Sequence, residues 1–422
     1  MSTIQVNKEL TGGIVWTRQK LREKFLLSLL TFQLLLPVIC LLAFIYLGKF
    51  LNPFSAYFLI SVAVLLFTFT CLLQKASPAV YAFFLAFLVL QGVTVFGHIV
   101  ALGPLGAIEG LRTISNFYFY WYLGYACYFT FYRTGRMEVL LRWVIGAGVF
   151  ISVVNIIHFF FNTVLGNYAA VKAYLEILNQ NLADYLDMEG TNGFLRHAGY
   201  FLDTHSQFYI PLATLIILQI EKFPVKFKAV KIILIVVSIL LSGVKTAYLI
   251  MFIMWAIILL RTNLKAAINF FLLVGVLCVG VLLFFNEMVV NMVIMIFTHD
   301  MDILIEHIYH NPVRLFNEYT AVFFIGGDES LVGTIYSEVY LITTMYYIGL
   351  AGVLLYLSPL VVFLFNRKGK YYLGFIIFIY FIFTLLHYPV FKVGINNIVS
   401  ALPVVYLLAA INDFKLRNDK NS

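Results

Sequence analysis

Charge is what this sequence has least of: Asp, Glu, Lys and Arg together make up 11% of its 422 residues, against about a quarter in ordinary soluble domains. With 62% of residues hydrophobic, too few polar side chains remain to cover a water-soluble globule, and that class is excluded. Cysteine is scarce as well. Cys40, Cys71, Cys127 and Cys278 all fall inside apolar runs, with neither the spacing of metal ligands nor a disulfide framework. There is no basic patch with interleaved aromatics on a soluble surface, so nucleic acid is not an expected partner. The chain also lacks an internal repeat, a low-complexity segment and any polar stretch long enough for a separate soluble domain. No small-residue cleavage site follows the charged N-terminal segment, so the first apolar run is expected to remain as a membrane span.

What the sequence has is long apolar runs. A bilayer core of about 30 Å needs roughly 20 apolar residues per helical span. Twelve such runs are bounded by charge, Pro and Gly: 25–47, 54–73, 78–101, 112–132, 138–163, 200–220, 228–243, 245–260, 266–286, 333–364, 371–387 and 394–411. The fold expected is therefore an all-α polytopic membrane protein of about 12 transmembrane helices, forming one integral membrane domain over 1–422. Orientation follows from the basic residues. If the N-terminus is inside, 21 of the 28 Lys and Arg fall on inner connections, and the basic clusters recur on alternate loops, as an N-in, C-in topology requires. Seven remain outside: Lys49, Arg112, Lys172, Arg196, Lys245, Arg314 and Lys392.

Two outer connections are long. In 164–199, Val171, Tyr174, Leu175, Leu178, Leu182, Tyr185 and Leu186 recur at helical spacing opposite Lys172, Glu176, Asn179, Asp184 and Asp187. This predicts an amphipathic helix that lies on the outer membrane boundary or packs over the bundle. In 287–332 short helices are expected, one of them capped by Asn311 with Pro312 at its first position. Arg314 would then stand in a first turn, where the helix dipole disfavours a cation, which hints at another reason for its presence.

The outer segments gather polar residues in four groups. These are Arg196-His197-Ala198-Gly199-Tyr200-Phe201 with Asp203, His205 and Gln207; Ser242-Gly243-Val244-Lys245-Thr246; Arg314 with Phe324-Ile325-Gly326-Gly327-Asp328-Glu329; and Glu338 with Gly349-Leu350-Ala351-Gly352. Guanidinium groups bind phosphate oxygens bidentately and neutralise the charge of a departing pyrophosphate. A carboxylate or imidazole beside them can deprotonate a hydroxyl. His98 and His158 read more simply as satisfied histidines of the bundle interior. The 42 Phe and 27 Tyr read mostly as lipid-facing packing and interfacial belt.

In content and order these groups resemble the O-antigen polymerase and O-antigen ligase superfamily: Arg-x-x-Gly-x-Phe, a Ser/Gly-x-basic-Thr turn, an Arg about a dozen residues before a Gly pair, and a late Gly-Leu-x-Gly. The resemblance covers about residues 196–352. Three positions depart from the pattern. Glu338-Val339 stand where the ligase branch carries a His and a polar residue, Lys245 stands for the usual Arg, and Thr204-His205 for a common Pro-Asn. The first of these favours the polymerase branch.

The resemblance implies a GT-C-like glycosyltransferase of the bacterial inner membrane, joining undecaprenyl-pyrophosphate-linked repeat units at the periplasmic face. It implies Arg196 and Arg314 as pyrophosphate ligands with Lys245 and Arg112 as supports, Glu338 as the base, and His205 and Asp328 as further candidates for that role. Donor and acceptor would both be lipid-linked glycans, and a flippase and a chain-length regulator would be the protein partners. No metal is required by this picture. Asp300-Met301-Asp302 does form an external DxD, a weak alternative for a divalent ion. An O-antigen ligase and a non-enzymatic lipid-linked oligosaccharide flippase are the competing readings.

Overall fold

A computed structural model describes residues 2–72, 77–160, 173–174, 176–177, 206–242, 244–262, scattered positions between 264 and 276, and then 305–327, 340–365, 369–385 and 396–421. All regular structure among the described residues is helical: α1 (Ser2–Leu47), α2 (Pro53–Leu72), α3 (Pro78–Leu102), α4 (Gly106–Phe117), α5 (Phe119–Cys127), α6 (Met137–Phe159), α7 (Tyr209–Ile220), α8 (Lys228–Leu241), α9 (Lys245–Thr262), α10 (Asn311–Glu318), α11 (Thr320–Ile325), α12 (Tyr340–Phe365), α13 (Tyr372–Leu385) and α14 (Asn397–Asn421).

Four stretches are long and apolar enough to cross a membrane: Gln19–Leu47, Pro78–Val100, Met137–Phe159 and Thr344–Leu364. They are apolar on the outside as well as within. Only 28% of the window in α3 is buried, and Leu85, Val89 and Phe96 lie open on it, as Leu354, Val361 and Leu364 do on α12. Faces of this kind need a hydrocarbon solvent, so the protein is membrane-embedded.

Inside this shell sit short helices that are apolar for a different reason. Every residue of α5 is buried, as are ten of the twelve in α7 and ten of the fourteen in α13. They pack against α14, whose residues from Asn397 to Ala410 are likewise buried. Aromatic rings fill the centre: Phe87 meets Tyr118, Trp121 and Tyr122 within 5.6 Å, and Tyr120 meets Tyr356 edge-on at 5.3 Å. Tyr356 donates to the carbonyl of Phe117 at the break between α4 and α5.

Several expected spans take another form. The run 112–132 is not one helix but two, because the chain breaks at Tyr118 and then ends in a π turn over Tyr128–Tyr132. The described part of 200–220 begins with a 3-10 turn at Ser206 and has only the 12-residue α7. Within 266–286 only scattered helical positions are described, and 333–339 and 394–395 lie outside the described residues. Asn311 is not a cap. A π turn, Glu306–His310, runs directly into α10, so Asn311 is a buried residue inside continuing helix and the dipole argument about Arg314 fails. Of the amphipathic helix expected in 164–199, little is described. Tyr174 is buried between Phe44 and Phe50 and donates to Leu51 O at 2.8 Å, so at that position the segment packs over the bundle.

Contacts between connections sort them into two ends. At one, Arg136 pairs with Glu23 at 3.1 Å, Arg142 donates to Pro224 O at 3.0 Å, Arg261 lies over the Tyr372 ring, and Lys370 and Tyr371 both engage Asp413. At the other, Tyr174 reaches Leu51, and the end of α3 meets the start of α12.

Candidate functional site

At that second end the bundle interior turns polar. Asn155, on the last turn but one of α6, donates from Nδ2 to Gln207 O at 3.2 Å and to Ser238 Oγ at 3.3 Å, joining α6, the turn before α7, and α8. Beside them Tyr209 and Ser400 share a hydrogen bond of 3.0 Å, Tyr380 donates to Tyr209 O at 2.8 Å, and Thr384 donates back to Tyr380 O. Asn396 and Asn397 are buried at the head of α14. Ser242 donates to Ile239 O and accepts from Val244 N, which shapes the turn into Lys245. Amides and hydroxyls are costly in a membrane interior unless partnered, and their gathering at this end makes it the candidate site. The layer lies where the chain leaves for 161–172 and returns at Ser206, so it adjoins in sequence the segment carrying Arg196 and His205.

A second feature of the same end is a helix broken on purpose-built glycines. α12 departs from helical geometry at Gly349 (φ 65°, ψ 178°). The break exposes carbonyls, and these are taken up: His98 Nε2 donates to Tyr347 O at 3.2 Å, and Gly327 N donates to Tyr346 O at 2.8 Å. Three chain segments meet there backbone to backbone. A Cβ on Gly349 would stand 2.5 Å from Gly326 N, one on Gly97 would stand 2.6 Å from Gly326 O, and one on Gly326, itself at φ 83°, would collide with Tyr347 O. The Gly326-Gly327 pair and Gly349 are thus complementary surfaces of one joint. Through α11 this joint ties α10, and with it Arg314, to α3 and α12.

Of the sequence candidates, Arg314 and Arg112 are both placed around this joint. Arg314 Nε lies 2.9 Å from Glu318 Oε1, one turn along the half-exposed face of α10. Arg112 is exposed on α4, which packs on α3 and α12, and lies 3.6 Å from Glu109. Lys245 opens α9 directly after the Ser242 turn. Arg196, His205, Asp328, Glu338, Asp300 and Asp302 lie outside the described residues; the chain enters 328–339 from Gly327, at the joint, and is described again from Tyr340. Sequence reasoning missed Asn155, Ser238, Thr384, Asn396, Asn397, Ser400 and Gly97. Lone small polar residues in apolar runs gave no signal. His98, read as a satisfied interior histidine, is buried and donates from Nε2 to a carbonyl made available by the break.

Fold and site together define a membrane-embedded, all-helical protein with a polar interior at one end of its bundle. Compared with known protein families, characterised proteins and solved structures, the chain matches none.

Proposed function

We propose that this protein is a polysaccharide polymerase of twelve spans, N-in and C-in, working at the periplasmic face of a bacterial inner membrane on undecaprenyl-pyrophosphate-linked repeat units. A hydroxyl of the acceptor repeat attacks the anomeric carbon of the donor glycan, the bond from that carbon to the pyrophosphate oxygen breaks, and undecaprenyl pyrophosphate departs. Arg196 and Arg314, supported by Lys245 and Arg112, neutralise the leaving pyrophosphate. Glu338 takes the proton of the attacking hydroxyl. Arg314 is available for this role because an exposed ion pair such as its pairing with Glu318 contributes only about 0–1 kcal/mol and exchanges readily for a phosphate.

The observation that carries the reading is the polar layer of Asn155, Gln207, Ser238, Asn396 and Ser400, buried at the bundle end to which the chain returns at Ser206. Uncharged amides and hydroxyls suit a polyhydroxyl ligand; single buried polar side chains such as Gln33, Thr68, Gln91 and Thr214 occur elsewhere in the bundle, and it is their concentration at this end that supports the reading.

A deletion strain tests it by its surface-glycan ladder. Core capped with a single repeat unit is the expected result. Loss of every attached repeat would point to ligation or translocation instead and contradict the proposal.

A further inference from the structure

The opposite end of the bundle carries a surface that catalysis does not use. The connection Glu221–Phe227 between α7 and α8 is fixed by Arg142 of α6, which donates to Pro224 O at 3.0 Å, lies 5.0 Å over the Phe223 ring, and has its charge matched by Glu138 at 2.6 Å. From this fixed loop project Lys222, Lys226 and Lys228, all exposed, with Lys231 one turn further on and partly covered. No ion pair involves these four among the described residues.

In their midst is Phe227. It is the one non-glycine residue with positive φ among the described residues (φ 54°, ψ 39°), and its ring is 78% exposed. A left-handed conformation is strained for a bulky side chain, and here it buys no buried contact. The ring instead heads an open apolar stripe down α8, through Val230, Ile233, Val237 and Leu240. The lysines are also set against local stability, since Lys228 and Lys231 occupy the first turn of α8, where the dipole disfavours cations and no side chain caps the helix. Strain, unmatched charge and an open aromatic coincide on one rigid loop.

We infer that the Lys222–Lys231 loop is a binding site for an anionic phospholipid, with Phe227 inserted among the acyl chains and the lysines around the headgroup phosphate. Charge complementarity and the continuous apolar stripe select a lipid over a soluble anion: the stripe serves the chains, the lysines the phosphate. The inference does not depend on the polymerase reading, because it concerns the other end of the bundle.

Thermal unfolding of the purified full-length protein in neutral detergent, with dioleoyl phosphatidylglycerol titrated in, tests it. Phosphatidylglycerol should raise the melting temperature and phosphatidylcholine or inorganic phosphate should not. Each lysine changed to Gln should weaken the apparent affinity about five-fold, so that Lys222→Gln/Lys226→Gln/Lys228→Gln/Lys231→Gln loses the shift. Lys415→Gln/Arg417→Gln/Lys420→Gln, in the C-terminal segment, should keep it. Phe227→Gly should melt higher than the parent without lipid, because strain is released, and yet respond less to phosphatidylglycerol; no purely structural role gives that reversal. An undiminished response in the quadruple variant, an equal loss in the C-terminal variant, or a shift reproduced by inorganic phosphate would overturn the inference.

Discussion

Arg314 loses one of the arguments that made it a candidate. Its helix was expected to start at Asn311, which made a first-turn cation anomalous, but the chain is already helical from Glu306 and the charge is matched by Glu318. What remains is its attachment to the glycine joint. Arg314→Ala and Arg196→Ala are predicted to abolish long glycan chains at unchanged protein level in the membrane, which a glycan ladder read beside an immunoblot checks. Glu338→Gln should lower polymer yield at least ten-fold if the carboxylate supplies general-base catalysis, typically worth about 10²–10⁴ in rate. A different carboxylate, Glu221, makes a prediction about pH. Burial raises its pKa above the ordinary 4.5, so the folded state holds that proton more tightly than the unfolded one. Its contribution to stability is therefore present in acid and lost as pH rises from about 4.5 through the raised value. Glu221→Gln should melt higher than the parent at pH 7, with the gap closing toward pH 4.5.

At the scale of elements, existence was legible and depth was not. A long apolar run reads the same whether it faces lipid, like α3, or is enclosed on every side, like α5 and α7, because hydropathy averages over faces. Nothing in 112–132 announces the break at Tyr118, which is held from another helix by the Tyr356 hydroxyl. The Gly326-Gly327 pair and the Gly349 repeat were visible as a pattern, while the reason for them, three backbones in contact with Gly97 as the third, requires the fold. Asn155, one amide in an apolar helix, becomes informative only when Gln207 and Ser238 are seen beside it. The joint carries its own prediction. Gly349→Ala adds both a Cβ collision and a left-handed strain, and Gly97→Ala adds the collision alone. The first should lower the melting temperature more than the second, and both should loosen α10 enough to reduce polymer length before the protein is lost from the membrane.

The whole molecule is organised by its two ends. One gathers aromatic-covered cations, ion pairs between separate connections and an exposed lysine loop, and the other gathers amides, hydroxyls and the broken helix. Two contacts join connections that the charge pattern assigns to the same side, Arg142 with Pro224 and Tyr174 with Leu51. The proposed function uses this division, with chemistry on a polar substrate at one membrane face and anchorage at the other. The most direct test is the purified full-length protein in a bilayer nanodisc, given a synthetic undecaprenyl-pyrophosphate-linked repeat unit. A ladder of lipid-linked oligomers with release of undecaprenyl pyrophosphate is the predicted result. A substrate that stays a single repeat with active, folded protein, or that only crosses the bilayer, would contradict it.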